Sequence, residues 1–181
     1  MALKATVFKA SLQIADLDRH YYADHHLTLA RHPSETDERM MIRLLAFALN
    51  ASDTLEFTRG LSTDEEPELW QKSLTDEIEL WVELGLPEED RLRKACHRAD
   101  HVLLYTYGGR AVPVWQAKHG GKLARHTNLT VFDLKAPETE ALASLAERTM
   151  VFQVTIQDGI VTFSNNQAWV SVAPTRWQPG Q

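Results

Sequence analysis

One stretch constrains this chain more than any other: Asp76 to Tyr107, where a strand, a helix and a second strand follow one another without a gap. From Ile78 to Gly85 the residues alternate. Ile78, Leu80, Val82 and Leu84 share one face, and Glu79, Trp81 and Glu83 the other. Period two predicts a strand with one face buried. Gly85-Leu86-Pro87 ends it, and Glu88, Glu89 and Asp90 put acid into the first turn of a helix. Leu92, Ala95, Cys96 and Ala99 form the buried stripe of that helix, while Arg91, Lys94 and Arg98 line another face. The dense apolar run His101–Tyr107 then predicts a strand parallel to the first, closing a βαβ unit. Such a unit forces an α/β core with helices against a sheet.

The flanking segments extend the pattern. Residues 3–15 and 21–30 predict two strands joined by the polar turn at 16–20, an antiparallel hairpin. His32-Pro33-Ser34 stops the second strand. Ser34 with Asp37 resembles a capping box, and a helix runs to about Asn50 with Met41, Ile42, Leu45 and Leu49 inward. Glu38 lies at the edge of that stripe: either an inward carboxylate that needs a partner, or an exposed acid paired with Arg39 or Arg43. Leu55–Leu61 predicts a short strand bounded by Gly60. After the acidic loop 63–67, Leu69 and Trp70 are assigned to a short helix. Arg110–Lys118 predicts a helix broken at Gly120-Gly121, Asn128–Leu134 a strand, and Pro137–Arg148 a helix. Asp158-Gly159 between two apolar runs is the strongest hairpin signal in the chain. Asn165-Asn166 turns into a last strand at 169–172, and residues 174–181 read as a frayed tail.

Composition narrows the partners. At 181 residues the chain suits one domain, or two small subdomains. A net charge of −6 argues against broad binding to nucleic acid, so a polyanion would need a local basic patch. A single cysteine, Cys96, excludes an intrachain disulfide and a cysteine-based zinc cluster. No apolar run reaches the length of a membrane span and the N-terminal residues do not read as a signal peptide, so a cytoplasmic location is expected. His97 and His101 have the spacing of a helical zinc pair but no third ligand, and His25-His26 on a strand point to opposite faces.

The phrases TLARHPSETDERMMIRLL, FTRGLSTDEEPELW, IELWVELGLPEEDRLRKAC and RTMVFQVTIQDG resemble the YaeQ family of small bacterial proteins over essentially the whole chain. The resemblance implies a single YaeQ-like domain over 1–181. Its expected fold is a restriction-endonuclease-like, PD-(D/E)XK mixed β-sheet with flanking helices, plus a smaller antiparallel β subdomain built from N- and C-terminal strands. It also implies a site: a carboxylate on one strand, an acid-x-Lys triplet on the next, and often a Glu from the preceding helix. Here the triplet reads Glu83-Leu84-Gly85, with glycine in the lysine's place. Lys94 can return its amine from the following helix, or is one more exposed cation. Glu38 matches the helix carboxylate. The further acid is Glu79 or, in the loop, Asp64.

Those residues suit one chemistry. Mg²⁺ takes hard oxygen ligands and keeps several waters, so Glu38, Glu83 and Glu79 are the expected metal ligands, with Glu38, Glu83 and Lys94 as the catalytic set. Glu79 and Glu83 stand roughly 13 Å apart on an ideal strand, at ~3.3 Å per residue, so Glu79 reaches the same ion only if the strand bulges. Arg91 and Arg98 are candidate phosphate contacts. Trp81 is either covered or open to stack on a base. The expectation is a divergent Mg²⁺-dependent nuclease acting on nucleic acid. The alternative is a non-catalytic binding protein that retains a degenerate nuclease core. Protein partners and oligomeric state leave no mark on the sequence.

Overall fold

A computed structural model describes residues 4–59 and 65–180. Leu3, Gly60, Leu61, Thr63 and Asp64, which carry expectations above, lie outside the described residues. Contacts divide the chain into two compact units, one of residues 1–50 and 137–173, the other of residues 51–136 and 174–181.

The first unit holds β1 (Thr6–Asp16), β2 (Tyr21–Arg31), α1 (Asp37–Asn50), most of α4 (Ala136–Ala143), β8 (Thr149–Gln157), β9 (Ile160–Ser164) and β10 (Trp169–Val172). Its sheet has the order β10-β9-β8-β1-β2. Both expected hairpins form, β1 with β2 and β8 with β9. The second turns on Asp158 at φ 53° and Gly159 at φ 75°, the left-handed pair that a two-residue hairpin demands. The amides of both residues donate to the Asp18 carboxylate, at 2.8 and 2.9 Å. The subdomain of terminal strands is therefore real, but it is mixed rather than antiparallel. β8 runs parallel to β1, with Leu12 beside Phe152. It is the smaller of the two sheets, at five strands against six. One face buries Phe8, Leu12, Ile14, Phe152, Val154, Ile156 and Phe163.

In α1 the cap is Thr36, whose hydroxyl accepts the Arg39 amide at 3.1 Å. Ser34 instead shares a hydrogen bond with His32 Nδ1, so the expected capping box does not form. The helix is buried on every side from Met40 to Ala48, which makes the four-residue stripe an underestimate. That burial includes Arg43. Its guanidinium donates to Glu35 at 2.6 Å and to the Ala30 carbonyl at 3.1 Å, while Arg39 takes the other Glu35 oxygen at 3.2 Å.

The second unit holds β3 (Leu55–Phe57), β4 (Leu69–Lys72), β5 (Ile78–Leu84), α2 (Glu89–Arg98), β6 (Ala99–Thr106), α3 (Ala111–Leu123), β7 (Leu129–Asp133) and β11 (Thr175–Trp177). The sheet order is β11-β7-β6-β5-β4-β3. β5, β6 and β7 run parallel, as the βαβ reading requires. Parallel strands are covered on both faces. From Trp81 to Leu84 every residue of β5 is accordingly buried, so the half-buried expectation holds only at its start. Trp81 packs into a core with Leu92, Ala95 and Cys96 of α2 and Val102 and Leu104 of β6.

Three local expectations give way to tertiary pairing. Leu69 and Trp70 form a strand, not a helix, because they pair with Val82 and Trp81 of β5. α3 runs through Gly120-Gly121. Gly120 lies against the Trp177 indole, and a Cβ there would stand 3.4 Å from the ring. The tail is not frayed: β11 pairs with β7, Trp177 opposite Val131.

The Glu35 carboxylate holds two arginines in a buried setting, and its removal takes a short, buried ion-pair partner from Arg43. Glu35→Ala is expected to lower unfolding free energy by about 3–5 kcal/mol, and Glu35→Gln by clearly less. Urea unfolding of the three proteins checks the ranking.

Candidate carboxylate site

In the second unit, the β4–β5 ladder brings two acids to one end. Leu69 pairs with Val82, and the amide of Glu68 donates to the Val82 carbonyl at 3.0 Å. Glu68 thus enters β4 where Glu83 leaves β5. Both side chains are buried, with Glu68 at 5% exposure and Glu83 at 3%. The residues before Glu68 are held from β3's side, where the Thr58 hydroxyl donates to the Pro67 carbonyl and the Thr58 amide to the Glu68 carbonyl.

Three donors converge on one oxygen, Glu83 Oε1. They are the Trp81 indole at 2.9 Å, Arg91 Nε at 3.1 Å and Arg91 Nη2 at 2.9 Å. Arg91 comes from the first turn of α2, and its Nη2 also donates to the Glu66 carbonyl at 2.9 Å. Beside it, the Arg98 guanidinium lies 5.0 Å from the centre of the Trp81 ring and donates to the Glu65 carbonyl. The guanidinium and the indole favour the ionised carboxylate; burial opposes it and wins. Burial, aided by the charge of Glu68, holds the Glu83 carboxyl above its ordinary value of 4.5.

The other expected residues sit elsewhere. Glu38, in the first unit, accepts the Thr139 hydroxyl at 3.1 Å. Lys94 is 70% exposed, and its amine meets Asp90 at 3.1 Å, one turn back on α2. It is Arg91, one turn ahead of Lys94's neighbours Ala95 and Cys96, that reaches Glu83. Glu79 is only half-buried and lies where β5 carries an extra residue against β4, since Gln71 pairs with Leu80 and Lys72 with Ile78. That irregularity falls at Glu79 itself, whereas Leu80 to Val82 pair in regular register ahead of Glu83. The acid whose charge acts on Glu83 is Glu68. Among the described residues, no three His, Cys, Asp or Glu side chains gather to hold a metal ion. Burial pushes the Cys96 thiol up to about 11, so it packs rather than reacts. His97 and His101 fall on α2 and β6, and His25 and His26 point apart, to Tyr21 and Ser11.

Sequence reasoning missed Glu68. The available signal was Pro67-Glu68 directly ahead of Leu69-Trp70, but with that segment assigned to a helix, nothing set Glu68 beside Glu83.

The family model described as "YaeQ protein" matches residues 1–174. "Uncharacterized protein YaeQ" of Escherichia coli (strain K12) is 48% identical over 178 residues, 98% of each chain. The Shigella flexneri protein of the same name gives the same figures. The crystal structure of YaeQ protein from Xanthomonas axonopodis pv. citri superposes with TM-score 0.93 at 52% identity, covering 96% of this chain and 98% of that one. That of YaeQ protein from Pseudomonas syringae gives 0.92 at 36% identity, covering 96% of each.

A raised carboxyl makes its contribution to stability at low pH. Folded Glu83 holds its proton to higher pH than the unfolded chain does, so that contribution is full below about 4.5 and is lost as pH rises through the raised value. Glu83→Gln removes the titration. Unfolding free energies of variant and wild type, measured by urea melts from about pH 4 to about pH 8, should therefore diverge in the variant's favour as pH rises. A difference that stays level over that range overturns the buried-acid account.

Proposed function

This chain belongs to the YaeQ family, and from that premise we propose that it is a divergent Mg²⁺-dependent nuclease-like protein acting on phosphodiester bonds of nucleic acid. Glu68 and Glu83 are its carboxylate pair and Arg91 its cationic partner. The observation that carries the reading is the meeting of two buried carboxylates, Glu68 and Glu83, at one end of the β4–β5 ladder, where the charge of Glu68 helps to raise the Glu83 carboxyl. A hard cation would relieve the repulsion between two such acids.

The donor set fits that cation. Carboxylate oxygens are the ligands Mg²⁺ takes, and since it retains several waters, two carboxylates suffice. When bound, the ion would acidify an attacking water and offset charge on the phosphoryl oxygens. The chain's own residues do the rest. Glu68 and Glu83 hold the ion. Arg91, fixed by Glu83 and the Glu66 carbonyl, presents a planar guanidinium to a phosphate. Arg98, over the Trp81 ring, offers a second phosphate contact. An acid entering one strand and an acid on the next, Glu68 then Glu83, also agree with the pattern that the family resemblance implies. Gly85, at φ +94°, stands where that pattern has lysine, and Arg91 is the cation that remains.

A second reading keeps the core and drops turnover: a non-catalytic binding protein. It is favoured by Gly85 and by the three donors already meeting Glu83 Oε1.

Titration calorimetry with Mg²⁺ and Mn²⁺, run near neutral pH in two buffers of different ionisation enthalpy, separates these. The expected result is binding that releases a fraction of a proton per ion and is lost in both Glu68→Gln and Glu83→Gln. A Mn²⁺-dependent cleavage assay on single- and double-stranded DNA and RNA should then show a loss of about 100-fold in Arg91→Ala. No heat from either ion removes the enzyme reading; binding without cleavage of any polymer leaves the second.

A further inference from the structure

The open face of the five-stranded sheet carries an arrangement that the fold does not require. Cross-strand partners share a face, and the registers place one row of residues across all five strands: Trp169, Ser164, Gln153, Gln13 and Asp24. The adjacent row runs Ser171, Thr162, Thr155, Ala15 and Tyr22. The 2.8 Å bond between the Thr162 and Ser171 hydroxyls confirms their common side. At ~4.8 Å between strands, each row is about 19 Å long.

This face is not an ordinary solvated one. Charged residues make up 24% of the chain, and an exposed sheet face is where they collect. Yet among these ten positions Asp24, at the β2 end, is the single charge. In place of Lys and Glu stand amides and hydroxyls. Apolar groups are left in water beside them, with Trp169 71%, Tyr22 63% and Val151 63% exposed. The face is also concave. A depression of about 360 Å³ is lined by Gln13, Val151 and Gln153 together with Glu147, Asn166 and Gln167. It adjoins a shallower hollow that shares Gln13 and Gln153 and reaches Tyr22 and Asp24. Among the described residues, the amide groups of Gln13 and Gln153 take no hydrogen bond from the protein.

We propose that this groove binds a neutral oligosaccharide. A primary amide donates and accepts at once, which suits vicinal hydroxyls, each of them donor and acceptor. The flat, apolar C–H face of a sugar ring matches an exposed indole that has a polar handle. Trp169 lies opposite Ser164, at one end of the row that the glutamines continue. A nucleic acid is disfavoured: the row contains no Lys or Arg, and Glu147 and Asp24 repel phosphate. The groove lies wholly in the first unit, so this inference is independent of the carboxylate pair.

The test is nuclear magnetic resonance on the full, ¹⁵N-labelled chain. Maltohexaose, cellohexaose and chitohexaose are titrated separately, with a hexathymidylate as the anionic control. At least one sugar should shift the Trp169 indole and the Gln13 and Gln153 side-chain amide signals, with a dissociation constant of about 1 mM or tighter. Trp169→Ala and Gln153→Ala should each weaken binding about tenfold while leaving the thermal midpoint unchanged, because both side chains are exposed. The idea is overturned if no sugar shifts these signals, if the shifts persist unchanged in Trp169→Ala, or if the hexathymidylate shifts them instead. None of those outcomes bears on metal binding at Glu83.

Discussion

The second unit depends on how a buried acid is kept tolerable. Glu83 lies on a strand that is covered on both faces, among residues of an apolar core, where an isolated carboxylate would be driven off its charge or out of the fold. Three donors from two side chains offset part of that cost, although burial still holds the carboxyl above its ordinary value, and both side chains are placed by secondary structure. Trp81 sits two residues back on the same strand, so it projects to the same side. Arg91 is on the helix that the Gly85-Leu86-Pro87 break sends back across the sheet. The left-handed backbone of Gly85 is what lets β5 end at Leu84 and the chain turn toward α2. The arrangement that would hold a cation is therefore the same one that ties α2 to β5.

The first unit solves a parallel problem in another way. Glu35 bridges Arg39 and Arg43 at the start of α1, with the Ala30 carbonyl at the end of β2 as a further acceptor for Arg43. The ion group joins helix to hairpin, and it lets a helix with an arginine in its middle be buried on all sides. Each unit thus contains a charged residue at a position that hydrophobic patterning assigns to core, and each satisfies it with partners close in sequence.

Much of this was legible from residue order. The β5–α2–β6 crossover, the β1–β2 hairpin and the Asp158-Gly159 turn all came from local patterns that tertiary structure reinforced. What failed had long-range causes. Leu69-Trp70 became a strand because β5 was there to pair with it. Gly120-Gly121 stayed helical, with the Trp177 indole from far along the chain packed against Gly120. The parallel run of β8 against β1 joins residues some 140 apart, and no local signal encodes direction. The site was half legible. Glu83 and the basic helix were found, but the choice between Arg91 and Lys94 depends on rotation about α2. Glu68 became visible only once β4 was known to be a strand.

The parallel pairing of β1 with β8 has a consequence for synthesis. β1 ends at Asp16 and its neighbour begins at Thr149, so on the order of ten seconds separates their emergence at about 5–20 residues per second. For that interval the hairpin of β1 and β2 exists as a two-stranded ribbon, with the β1 edge unpaired and an apolar face open to water. The edge is covered only when β8 docks, and the amides of the hairpin turn that follows it then close on Asp18.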